Sequence, residues 1–172
     1  MIRVVAALIE REGRLLICQR RRGDLFGLKW EFPGGKLRPS ETPRAGLARE
    51  LHEELGCSTA RIGPEIYRTR HRYQEFADSV EISFFAVCEI SPAPRNLVFE
   101  HMVWARPGDL PRYDFLPADR ALVARLARRE LSARLTQGEL ARRLRRVSSA
   151  RRPLPAPGRS RMPHGPGTVP LR

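Results

Sequence analysis

Lysine is almost absent from this 172-residue chain: Lys29 and Lys36 are the only two, so its 32 basic residues are arginine nearly throughout. Cysteine is scarce as well. Cys18, Cys57 and Cys88 are odd in number and form no close pair and no metal-ligand spacing, which argues against a secreted disulfide scaffold and for a reducing, cytoplasmic setting. Long apolar runs are missing. Residues 2–9 are the nearest approach to one and are followed at once by Glu10, Arg11 and Glu12, which fits neither a signal peptide nor a membrane span. His52, His71, His101 and His164 show no ligand spacing, and no G-x-S-x-G elbow is present, so covalent catalysis by a nucleophilic triad is excluded.

Basic charge is what the chain has in excess: a formal net +13, with 41% hydrophobic and 30% charged residues. Residues 131–172 hold ten arginines against one acid, Glu139, which accounts for +9 and leaves +4 for residues 1–130. A basic surface suits nucleic acid or phosphorylated ligands, yet here the excess belongs to the tail, and arginine in place of lysine equally reflects coding bias. Six prolines after residue 150, with almost nothing to bury, predict disorder. The organisation expected is one soluble domain over 1–131 and a basic, Pro/Arg-rich tail over 132–172 whose only foreseeable partner is a weak nucleic-acid contact. A monomer is expected.

Residues 3–10 and 14–20 read as a hairpin about Gly13. The stretch that follows, RRGDLFGLKWEFPGGKLRPSE, is long and rich in glycine and proline, as functional loops often are. Thr42-Pro43 reads as a helix start and Gly56 as its stop, giving a helix over 43–55. Residues 65–74, 80–90 and 101–105 read as strands and 117–131 as an amphipathic helix burying Ala118, Leu122 and Leu126.

On the 43–55 helix, Glu50, Glu53 and Glu54 share a face, at about 100° of rotation per residue, while Ala48, Leu51 and Leu55 face a core. A solvated acidic stripe is the plainer explanation of such a run. Adjacent like charges nevertheless cost stability unless a cation compensates, and the preceding WEFPGGK loop has backbone groups able to reach a ligand. Clustered carboxylates suit a hard cation such as Mg2+ or Mn2+, which commonly takes phosphate oxygens as its remaining ligands.

Gly35, Glu41, Arg49-Glu50-Leu51, Glu53-Glu54 and Gly56-Cys57 together resemble the Nudix box, with an unusual cysteine in its last, apolar position. Seven exact residue types at this spacing would arise on the order of once in 10^9 start positions at uniform frequencies. The preceding FPGGK and the FLPAD segment at 115–119 are most similar to the MutT-type nucleoside triphosphate pyrophosphohydrolases, over about residues 2–130.

That resemblance implies an α/β/α sandwich around a mixed β-sheet, with the box as a loop-helix-loop, and an Mg2+-dependent hydrolysis with Mn2+ as a substitute. Glu50, Glu53 and Glu54 are then the metal carboxylates, joined by the Gly34 carbonyl and by Glu100 from a later loop. Glu50 is the base toward water, and Arg49 orients Glu53, its i+4 neighbour, or another box acid. Glu41 acts through these or is an exposed loop acid. Arg20 meets substrate phosphate, where a guanidinium fork fits; Glu31, Phe32, Pro33 and Gly34 correspond to the base-contacting loop. Trp30 and Trp104 are core aromatics.

Asp119 stands where relatives that remove 8-oxo-dGTP carry an Asn able both to donate and to accept; an ionised Asp only accepts. It contacts the base or, alternatively, the helix dipole after Pro117. The substrate expected is a nucleoside triphosphate, 8-oxo-dGTP first and CTP or a dCTP analogue second. A non-catalytic binding module is a third, less favoured reading.

Overall fold

In the computed structural model, which describes residues 1–131, the elements run β1 (Ile2–Arg11), β2 (Arg14–Gln19), β3 (Trp30–Glu31), β4 (Gly34–Lys36), α1 (Pro43–Leu55), β5 (Thr59–His71), β6 (Val80–Ser91), β7 (His101–Ala105) and α2 (Arg120–Ala127). Successive strand side chains leave opposite faces of a sheet, and here that alternation builds two cores. Ala6 and Leu8 of β1, Leu15 and Ile17 of β2, and Ile82 and Phe84 of β6 enter one cluster, together with Leu122 and Leu126 of α2. Val5, Ala7, Ile9, Leu16, Cys18, Phe85 and Val87 enter the other, covered by Leu47, Leu51 and Leu55 of α1. A helix on each face of one sheet is the expected α/β/α sandwich.

The sheet order is β3-β2-β1-β6-β5, with β4 also on β1 and β7 on β2. β1 and β6 run parallel from Ile2↔Val80 to Ile9↔Val87, while the other pairs are antiparallel, so the sheet is mixed. Glu12 and Gly13 both take positive φ, 52° and 72°, as a two-residue hairpin turn requires. The hairpin is joined only at its tip, however, through Glu10↔Leu15 and Arg11↔Arg14. Beyond those pairs β2 continues with β3 and β7, and β4 takes the edge of β1 from Val4↔Lys36 to Ala6↔Gly34. The glycine-rich loop therefore enters the fork between two strands.

Helix α1 has the predicted bounds. The Thr42 hydroxyl accepts from the Ala45 N–H at 3.3 Å, and Gly56, at φ 68°, turns its amide onto the His52 carbonyl at 3.0 Å. Leu47, not the expected Ala48, leads the buried stripe, which repeats at i, i+4 and i+8.

Two other bounds differ from expectation. Pro117–Asp119 forms a 3-10 turn, so α2 starts at Arg120 and ends at Ala127, although Ala118, Leu122 and Leu126 are buried as expected. Strand β5 begins at Thr59, before the predicted 65, and stops at His71 rather than 74; register shifts between Arg61 and Tyr67 break the alternation that would have revealed its start. Among the described residues no helix is long and apolar enough to cross a membrane. The tail expected to be disordered, 132–172, lies outside the described residues.

Candidate active site

Gly35 of β4 lies directly beneath the Glu50 carboxylate of α1. A Cβ built on Gly35 would sit 2.4 Å from Glu50 Cδ and 2.5 Å from its Oε1, so any side chain there would displace the Glu50 carboxylate from this position. Gly34 is equally constrained: its φ is 150°, and a Cβ there would be 2.1 Å from the Val5 carbonyl oxygen. The strand-like pairing of β4 with β1 thus holds a glycine pair against the acidic face of the helix.

Arg49 ties this face together. Its Nε and Nη2 donate to the two oxygens of Glu41, both at 2.9 Å; its Nη1 donates to Glu50 at 2.7 Å and to Glu53 at 3.2 Å, and Nη2 also reaches the Lys36 carbonyl at 3.1 Å. The predicted bond to Glu53 is present but is the longest of the carboxylate set. Glu41 is the bidentate partner, which places it in the network rather than on an exposed loop; the Arg49 hydrogen bonds and the Arg38 amide lower its carboxyl to about 2. Gly46 makes space for it, since a Cβ there would approach Glu41 Oε2 to 2.9 Å.

The three helix acids do not converge on one point as drawn from the helical wheel. Glu50 and Glu53 turn toward Arg49, and Arg38 takes a second bond to Glu53 at 3.1 Å. Glu54 turns the other way and accepts from the Gly34 N–H at 2.9 Å. Among the described residues no three His, Cys, Asp or Glu side chains are gathered as a metal-holding group. The physical reason is the guanidinium, which supplies the positive charge for two of the acids. Burial, with Glu31 and then Glu50 adding like charge against the Gly34 hydrogen bond, pushes the Glu54 carboxyl up to about 9. Glu100, expected as a further ligand, has an exposed side chain and an amide bonded to the Gln19 carbonyl at 2.9 Å.

Across the fork of β1 and β2 lies a second group of side chains. The Arg20 guanidinium, expected to face phosphate, is bidentate from a single nitrogen to Glu31, at 2.9 and 3.0 Å, with its Nε on the Leu25 carbonyl at 2.8 Å. The Phe32 ring is core, tilted against Phe115 at 5.4 Å and edge-on to Phe84 at 6.0 Å, so only its backbone faces the corner. Pro33 is buried and its carbonyl accepts from the Ala7 N–H at 2.8 Å. Trp30 packs on Tyr113 at 4.8 Å, and Trp104 is half-buried on the α1 face, as core aromatics.

Asp119 is 3% exposed and is the N-cap residue of α2, at the helix terminus where the dipole reading places it, although its carboxylate makes no capping hydrogen bond there. It accepts from the Phe32 amide instead. Burial holds its carboxyl well above the usual range, Glu31 adds to this, and the Phe32 bond opposes it. Beside it stands Tyr73, which sequence reasoning did not single out: the Ala118 N–H donates to its hydroxyl at 3.4 Å. An aromatic in a loop 45 positions away leaves no periodic signal.

A family model described as the NUDIX domain matches residues 4–125. The chain is 37% identical over 124 residues to a CTP pyrophosphohydrolase of Escherichia coli, covering 72% of this chain and 89% of that one. It is 32% identical over 127 residues to an 8-oxo-dGTP diphosphatase of Haemophilus influenzae, covering 73% and 91%. The solution structure of the E. coli ORF135 protein superposes with a TM-score of 0.65 at 33% identity, covering 72% of this chain and 86% of that one.

Proposed function

The chain belongs to the Nudix family of hydrolases and acts on a nucleotide phosphoanhydride, and from that premise we propose that it hydrolyses 8-oxo-dGTP to the monophosphate and pyrophosphate with Mg2+ as cofactor. The residues present supply the oxygen donors that a hard divalent cation takes, and gathering Glu53 with Glu50 and Glu54 requires it to leave Arg49 and Arg38. Glu54 is held up near 9 by burial and by its acidic neighbours, and a cation there would offset that cost. Glu50, Glu53 and Glu54 would hold it with the Gly34 carbonyl and Glu100, Mn2+ serving as substitute. When bound, the cation neutralises the triphosphate and acidifies water for in-line attack at phosphorus.

The chain's own groups do the rest. Glu50, at 14% exposure over Gly35, takes the proton from the attacking water, and Arg49 holds that carboxylate in place while Glu41 holds Arg49. Arg20 exchanges Glu31 for triphosphate oxygens. Asp119 and the Phe32 backbone meet the base.

The observation that carries the choice of base is the burial of Asp119. Burial favours its neutral form, and a neutral carboxyl has one O–H donor and one carbonyl acceptor, the same pair an Asn amide would offer. The pair matches the O6 acceptor and the N7–H donor that oxidation creates on guanine. A CTP or dCTP-analogue substrate is the second reading, favoured by the E. coli relative and by an ionised Asp119 accepting from an exocyclic amine.

The test is kcat/KM for 8-oxo-dGTP, dGTP, CTP and 5-methyl-dCTP with Mg2+ and with EDTA, on the native chain and on Asp119→Asn. Preference for 8-oxo-dGTP kept in Asp119→Asn supports the neutral-carboxyl reading. Its loss with CTP as the leading native substrate supports the second. No hydrolysis of any nucleotide, or turnover unaffected by EDTA, overturns both.

A further inference from the structure

Three aromatic side chains from two loops meet, and one of them, Tyr73, reaches the backbone beside Asp119. Phe26, between β2 and β3, lies 4.9 Å from Tyr73 and 6.2 Å from Phe76, ring centre to ring centre; Tyr73 and Phe76, both between β5 and β6, are 5.7 Å apart and edge-on. Tyr73 is 6% exposed. Its hydroxyl accepts the Ala118 N–H, one residue before Asp119, and Phe76 carries the Lys36 ammonium over its ring at 5.5 Å. The trio therefore touches the base corner on one side and the glycine strand beneath α1 on the other.

Two further observations bear on it. Phe26 and Leu28 both take positive φ, 59° and 66°, a conformation that costs non-glycine residues energy and that tends to persist at sites where geometry serves function. Burial, with Asp119 and Glu31 adding to it, also raises the Tyr73 phenol, against the Ala118 bond, so the hydroxyl keeps its proton. Having accepted one hydrogen bond it still has one to donate.

We propose that Tyr73 is a specificity-determining positioning residue of the nucleotide site, holding the Ala118–Asp119 backbone in register with the base and, with Phe26 and Phe76, forming the apolar cover under which that base is read. The proposal rests on the reading of Asp119 as the base contact. Phe26 and Phe76 are half-buried against Tyr73, so the trio acts by fit as well as by hydrogen bonding. Its action is on binding and base choice, because its polar atom is engaged at Ala118, next to Asp119.

The experiment compares Tyr73→Phe and Phe76→Leu with Asp119→Ala and the native chain, measuring kcat and KM for 8-oxo-dGTP, dGTP and CTP, and Tm for each protein. Tyr73→Phe keeps the ring and leaves the buried Ala118 N–H without its acceptor, so Tm should fall by about 2–4 °C, while KM for the preferred base should rise about fivefold, the range of one net neutral bond, with kcat nearly unchanged. The ratio of kcat/KM between preferred and other bases should fall by a similar factor, and Phe76→Leu should shift the same ratio. A loss of Tm with no change in that ratio would be a purely structural role and overturns the proposal. If Asp119→Ala changes base preference while both aromatic variants leave it intact, the proposal fails and the Asp119 reading stands. If no variant changes it, the Asp119 reading itself fails and takes the proposal with it.

Discussion

On the α1 face of the sheet Glu41 shares two hydrogen bonds with Arg49 and its carboxyl is lowered to about 2; on the α2 face Asp119 is enclosed by apolar neighbours, the Phe32 amide and Glu31, and its carboxyl is raised. Two acids of nearly the same chemistry are thus driven in opposite directions by what surrounds them. The difference separates two kinds of work. On the α1 side Arg49 keeps Glu41 charged, while Glu54, farther along the same helix, is pushed up to about 9 by burial. On the α2 side burial discourages the charge of the carboxyl, which is what the proposed reading of an uncharged base edge by Asp119 needs.

The largest effect that sharpens this contrast is expected at Glu54. Glu54→Gln should lower kcat by on the order of 10^2-fold or more, as loss of a carboxylate acting at the reacting centre does, and should raise the Mg2+ concentration needed for half-maximal rate. The same variant should stabilise the metal-free protein. With a folded value near 9 against about 4.3 unfolded, the native carboxyl favours folding fully below the unfolded value and loses that advantage as pH rises toward 9. Tm of Glu54→Gln should therefore gain on the native protein across that window; parallel Tm curves would refute the shift.

Next in size is the pH dependence of base choice. Asp119, with Glu31, Tyr73 and Arg20 as its charged and titratable company, is neutral at low pH and loses its donor on ionising, so preference for 8-oxo-dGTP should fall as pH rises. In Asp119→Asn the preference should be flat with pH, and an identical slope in both proteins would contradict the assignment.

A smaller effect is expected at Glu41. Its lowered carboxyl contributes stability above about pH 4.5 that is lost as pH falls toward 2, so Glu41→Gln should flatten the acid limb of the Tm profile. The smallest concerns the tail: the family match ends at residue 125, and removing 132–172 should leave kcat/KM and Tm unchanged. A folded but inactive truncation would assign those residues a part in the site.

The α1 side was the more legible of the two. Helical spacing places Glu50, Glu53 and Glu54 on one face, and the Arg49–Glu53 bond is an i+4 pair that any helical wheel shows. The Glu41 clamp is not readable that way, because the residue precedes the helix and reaches back over Gly46. Strand alternation and helix caps placed the main elements and the resemblance of the box implied the sandwich, whereas the start of β5 was hidden by its irregular register and the fork between β1 and β2 by a hairpin signal that is real only at its tip. The α2 side was legible at Asp119 alone. Tyr73 enters through a 45-residue separation and one backbone hydrogen bond, and neither hydrophobic period nor charge pattern encodes such a contact.

One strand is common to both sides. β1 sends Val5, Ala7 and Ile9 under α1 and Ala6 and Leu8 into the core on the Asp119 side, and its edge seats the glycine pair that faces Glu50 and Glu54. It serves as the ruler against which both halves of the reaction are measured. A single residue inserted in its middle would exchange the faces of everything beyond it and mis-space cation and base together. Substitutions on either wall can spoil one half of the chemistry; a slip along this ruler spoils their alignment.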